Sequence, residues 1–168
     1  MTMRSFWLAT AAAASLAFGS CAKETTTTAP ATEFVATDAN FSGYATWTQT
    51  TTPRRGPDPA LGAAHEGNDT NVTRYMYINS ATASRSNNGQ YPNGTIIVKE
   101  MKRNGANFAV MGMVKRGGEF NKDHNGWEWV MLSNDGKIQD RGANLMGGMC
   151  NGCHSGVKST KDYVFTKN

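Results

Sequence analysis

Only 14 residues follow Cys150-Asn151-Gly152-Cys153-His154 in this 168-residue chain. A C-x-x-C-H pattern lets two thiols add across the vinyl groups of a porphyrin while the neighbouring imidazole becomes the proximal iron ligand. With the anchor so late, any sixth iron ligand must come from upstream. Other chemistries are less well served by this arrangement. Tetrahedral zinc needs about four ligands, and the chain adds only Cys21 and two histidines, His65 and His124, that lie apart without ligand spacing. A thioredoxin-like dithiol belongs early in a βαβ unit, with much more chain after it. A structural disulfide in an oxidising compartment stays open as the bland alternative. The cofactor expected is therefore one covalently attached haem c, held by Cys150 and Cys153 with His154 on the iron.

Residues 1–20 have a positive start at Arg4 and then a short, alanine-rich apolar run. The run is too short to span a bilayer and has the layout of an export signal. Leu16-Ala17-Phe18-Gly19-Ser20-Cys21 resembles a bacterial lipobox, which makes Cys21 a lipidation site and explains an otherwise unpaired exported thiol. Residues 21–33, with four consecutive threonines and Pro30, read as a disordered tether. The haem domain is then 34–168, in the periplasm or cell envelope, meeting a membrane only through the lipid. The formal charge of +4 falls by one without Arg4. With no basic stripe interleaved with aromatics, nucleic acid is excluded as a partner.

Within the domain, Phe41, Tyr44 and Trp47 recur at spacings of three and predict one short helix capped near Asp38 or Asn40. Three prolines and a glycine in residues 53–59 stop any helix, and residues 60–70, with His65, read as an irregular surface segment. Residues 72–78 alternate as a strand that carries Arg74 on the face of Val72, Met76 and Ile78. Residues 79–93 read as a loop or short helix ending in a Tyr-Pro-Asn-Gly turn. Residues 95–101 form a second strand with Lys99 between Ile97 and Met101; Asn104-Gly105 is a hairpin signal, and residues 108–115 are a third. Residues 127–132 and 137–139 add two more, residues 144–150 a helical turn, and residues 163–165 a closing edge. The fold class expected is mainly β (α+β): an antiparallel sheet of about five strands with short flanking helices and the haem packed against it.

In small electron-carrier cytochromes a downstream methionine supplies the sixth ligand, but none of the nine methionines lies beyond His154. Met146 and Met149 are too near the attachment site to reach the opposite side. Met101, Met111, Met113 and Met131 read as core filler in strands. A five-coordinate iron with an open distal position follows, and such a site binds or transforms small molecules. Arg74 and Lys99 are cations on apolar faces and need a partner there. Glu128, between Trp127 and Trp129, is either a distal proton acceptor or an exposed strand residue. Phe108 or Phe120 is the candidate cap of the distal side.

The succession Arg74-Tyr75-Met76-Tyr77-Ile78-Asn79, Tyr91-Pro92-Asn93-Gly94-Thr95-Ile96-Ile97-Val98-Lys99-Glu100, Val114-Lys115-Arg116, Asn125-Gly126-Trp127-Glu128-Trp129, the late C-x-x-C-H and Asp162-Tyr163-Val164-Phe165 resembles the cytochrome P-460 family. The resemblance implies a mostly β, homodimeric, exported mono-haem protein with proximal histidine ligation. In the P-460 branch a lysine is joined covalently to the porphyrin, and members oxidise hydroxylamine or bind nitric oxide. The related cytochromes c′-beta lack the cross-link and bind nitric oxide or carbon monoxide under an apolar cap. By this likeness Lys99 matches the cross-linking lysine and Arg74 the distal arginine. The expected function is oxidation of hydroxylamine or a similar small nitrogen species, with an electron-acceptor redox protein as partner. Gas binding without catalysis and plain electron transfer are the alternatives.

Overall fold

The computed structural model describes residues 32–80, 85–86 and 88–165. The expected export leader, the lipidation site Cys21 and nearly all of the tether lie outside the described residues. The domain is mainly β, with one antiparallel sheet of seven strands. In chain order the elements are α1 (Asp38–Phe41), β1 (Thr48–Gln49), β2 (Arg54–Arg55), β3 (Val72–Ile78), β4 (Ile96–Arg103), β5 (Ala106–Lys115), β6 (Trp127–Leu132), β7 (Ile138–Gly142), α2 (Met149–His154) and α3 (Lys158–Lys161). The sheet order is β1-β3-β4-β5-β6-β7, with β2 also paired to β3. The two extra strands are two-residue pieces on one edge: Thr48 pairs with Ile78, and Arg54 with Arg74.

The central strands arise where alternation and turn chemistry agree. Asn104 and Gly105, at φ 51° and 86°, both occupy the left-handed region, so the β4–β5 hairpin closes on the residues best suited to it. The expected helix is only α1, its amide at Thr37 donating to Asn40 Oδ1 at 2.8 Å, followed by a 3₁₀ turn at Tyr44–Thr46. The expected edge at residues 163–165 is not a strand. Asp162 and Tyr163 take φ of 47° and 66°, which turns the tail back over the sheet.

Both faces of the sheet are covered. The first face packs Val98, Val110, Val130 and Leu132 beneath Phe41 and Tyr44 from the N-terminal segment. Gly112 makes this close approach possible: a Cβ there would stand 3.3 Å from the Phe41 ring. Glu100, also on this face, is buried but accepts from Tyr44 (3.1 Å) and from Asn107 (2.7 Å). The second face packs Met76, Ile78, Ile97, Met113, Trp127 and Trp129 against Leu145, Tyr163 and Val164 from the C-terminal segment. Because strand side chains alternate between faces, the register decides which residues can meet.

Candidate haem site

On the second face the pairing aligns Met76, Lys99, Met111 and Met131 in one row across β3 to β6, and Ile78, Ile97, Met113 and Trp129 in the next. All of these but Ile78 floor an open cleft with about 150 Å³ of interior space. Its far wall is α2, with Cys150, Cys153 and His154, and its sides are Ala64 and His65 on one hand and Val164 and Phe165 on the other. Six of the nine methionines line it, Met146 and Met149 at an exposed rim. The strand methionines Met111, Met113 and Met131, expected as core filler, thus face the cleft, while Met101 is buried one row further along, opposite Arg74.

The attachment motif is held from two directions. Asn151, an unspecified position of C-x-x-C-H, is buried; its Oδ1 accepts from Trp129 Nε1 at 2.7 Å and its Nδ2 donates to the Ala143 carbonyl at 2.8 Å. This ties α2 to β6. From the other side, His154 Nδ1 lies 2.6 Å from the Tyr163 carbonyl oxygen. A carbonyl only accepts, so Nδ1 carries the proton and Nε2 is left with a free lone pair, the second-sphere arrangement usual for an imidazole that binds a metal. Trp129 and Phe165 pack on the ring, with centroids at 4.6 and 5.2 Å. Burial pushes the His154 pKa down to about 4, so the ring is neutral at neutral pH, as ligation requires. Both motif thiols are free, Cys150 half-buried and Cys153 exposed.

The carbonyl that orients His154 is itself placed by a buried ion pair. Lys115 Nζ lies 3.1 and 2.9 Å from the two carboxylate oxygens of Asp162, which also accept from the Tyr91 amide (2.8 Å) and from Asn125 Nδ2 (2.6 Å). Lys115 stands over the Trp127 ring at 5.0 Å. Burying two charges demands this degree of satisfaction.

Lys99 differs in kind. It is only 9% exposed, lines the cleft, and has no hydrogen bond or ion pair among the described residues. Burial, followed by the nearby cations Arg54 and Arg74, lowers its pKa to about 8. Arg74, 1% exposed, stands one step behind the cleft wall. Its Nε donates to the His65 carbonyl at 2.9 Å and its Nη2 to the Glu66 carbonyl, so it braces the turn that brings His65 to the cleft.

The family model for Cytochrome P460 matches residues 41–166. The chain belongs to the Cytochrome P460 family. No curated protein matches it at a significant level. Membership makes this a haem protein, and the residues present fit that group: two free thiols and a pre-oriented imidazole stand at one wall of an open, apolar cleft.

In this P460 family member two expectations require correction. Glu128 is neither near the cleft nor exposed. It alternates onto the first face, is 1% exposed, and is engaged by Arg141 (Nε at 2.8 Å) and Arg116 (Nη1 at 3.2 Å). Its carboxylate therefore pins β6 to β7 and to the N-terminal segment, where Arg141 also donates to the Ala36 carbonyl at 2.6 Å. Phe108 and Phe120 do not line the cleft; they lie under Arg103 and Arg116 at 4.4 and 3.9 Å, and Phe165 is the phenylalanine that reaches it. Sequence reasoning missed His65, Asn151 and the Lys115–Asp162 pair. Lys115 and Asp162 had a signal only as members of the family segments Val114-Lys115-Arg116 and Asp162-Tyr163-Val164-Phe165.

Proposed function

We propose that the protein is an exported mono-haem c-type cytochrome in which Cys150 and Cys153 hold the porphyrin, His154 binds iron, and a small nitrogen species such as hydroxylamine is oxidised in the cleft. The observation that carries this reading is the buried, unpartnered amine of Lys99 in an apolar cleft whose wall bears C-x-x-C-H. With its pKa lowered to about 8, Lys99 is partly neutral near physiological pH, and the neutral amine is the nucleophilic form. Haem bound here would supply the redox-active iron. The cleft walls are apolar and rich in methionine, Lys99 is the one lysine or arginine among the described residues that line it, and Arg74 fixes the turn beside it. The exposed rim at Met146 and Met149, beside Cys153, is where an electron-acceptor protein would dock. A homodimer and a lipid anchor at Cys21 belong to the same proposal.

A second reading, nitric oxide or carbon monoxide binding without turnover, is favoured by one observation. No carboxylate lines the cleft among the described residues, since Glu128 lies on the other face. Hydroxylamine consumption by the haem-loaded protein with a soluble electron acceptor decides between them: turnover supports oxidation, and tight nitric oxide binding with no turnover supports the second reading. A tryptic haem peptide lacking the Lys99 segment would remove the cross-link.

A further inference from the structure

We propose that His65 is the second axial ligand of the iron, opposite His154, and that small molecules reach the metal by displacing it. The proposal rests on the reading of His154 as the iron ligand. His65 lines the cleft with its ring centroid 6.3 Å from that of His154 and the two planes at 87°. Two imidazoles on one metal stand about this far apart, because metal–nitrogen bonds of about 2 Å on each side and about 1 Å from each nitrogen to its ring centre sum to ~6 Å. Trp129 and Phe165 lie closer to His154 and pack against it; of the three rings around His154, His65 alone carries a ligating nitrogen.

The position of His65 is imposed by the backbone. His65 and Glu66 are consecutive non-glycine residues at φ 50° and 56°, a conformation that costs free energy and persists only where the surroundings enforce it. The surroundings here are the Arg74 guanidinium, bonded to both of their carbonyls, and the amide of Gly67, which donates to Ala64 at 2.9 Å. Gly56 lets the chain close on this region, since a Cβ there would lie 2.1 Å from the Asp69 carbonyl oxygen and 3.3 Å from Arg74 Nη1. The imidazole that this brace presents is otherwise uncommitted: its Nδ1 is buried without a hydrogen-bond partner among the described residues. Burial and the positive charges of Lys99 and Arg74 keep the ring neutral and able to ligate.

A six-coordinate resting state replaces the five-coordinate one expected from the methionine positions. Exchange breaks the bond from iron to His65 and forms one to the incoming molecule, with no change in electron count. His65 so held makes the cleft a gated site.

The test uses haem-loaded protein. Wild type is expected to give a six-coordinate low-spin absorption and electron paramagnetic resonance signature. His65→Ala is expected to turn high-spin and to return to low-spin on adding free imidazole. Nitric oxide association is expected to level off with concentration in wild type, limited by departure of His65, and to rise linearly in His65→Ala. Should that variant not fold, His65→Met, which keeps a ligating atom, is expected to stay low-spin with a raised reduction potential. A haem-loaded wild type that is high-spin, or a low-spin spectrum unmoved by His65→Ala, overturns the proposal alone. A chain that takes up no haem sinks the underlying reading and the proposal with it.

Discussion

Lys99 concentrates the electrostatic cost of the site in one side chain. Its pKa falls from 10.5 unfolded to about 8 folded, so between these values the unfolded chain binds more protons and stability rises with pH. The full window corresponds to about 3 kcal/mol. Thermal unfolding of the haem-free protein from pH 7.5 to 10 is expected to show this rise in wild type and to lack it in Lys99→Met, which should also be the more stable protein at pH 7. The two cleft histidines act at the other end of the scale. With folded pKa values of about 3 for His65 and about 4 for His154, both below the usual 6.5, the haem-free protein should lose stability as pH falls below about 6.5. His65→Gln should flatten that loss in an acid titration followed by fluorescence. Some of these residues were legible in the sequence: a cation alternating with Ile97 and Met101 signals a demand for a partner, and Lys99 and Arg74 were found that way. Glu128 gave the same kind of signal and misled. Because both faces of this sheet are buried, alternation tells which side chains share a face but not which face holds the cleft. His65 was hidden by a context rich in proline and glycine that reads as surface.

At the scale of elements, the strands with both alternation and an Asn-Gly turn were found within a few residues. The two-residue β1 and β2 are too short to leave a period. The tail after α3 reads as strand from Tyr163, Val164 and Phe165, yet the left-handed backbone at Asp162 and Tyr163 makes it a strap over α2. That conformation depends on Lys115, 47 residues away, which no local pattern announces. Asp162→Asn leaves the Lys115 ammonium buried and unpaired, and is expected to cost about 3–5 kcal/mol in urea unfolding. The double variant with Lys115→Met should recover much of that loss. Asn151→Ala strands the Trp129 Nε1 donor and the Ala143 carbonyl, at about 2–4 kcal/mol. Because both changes loosen α2, the yield of haem-loaded protein should fall with stability in parallel preparations.

As a whole, the molecule uses one sheet to separate two interiors with different requirements. The first face is closed by the protein's own residues, from Phe41 and Tyr44 to the Glu128 cluster with Arg116 and Arg141. The second is left as a cleft with an apolar floor and two neighbouring imidazoles, His65 and His154, with perpendicular planes. The division is reflected in chain order. All the strands that floor the cleft are complete by Leu132, and the N-terminal segment that seals their other side precedes them. The thiols come last, on a helix held by Asn151 and by the strap that Asp162 turns. A chain made in this order has completed the residues of the cleft's floor before its thiols are added. On the proposed covalent attachment, the machinery that joins porphyrin to cysteine would then meet a formed floor before the C-terminal strap closes over α2.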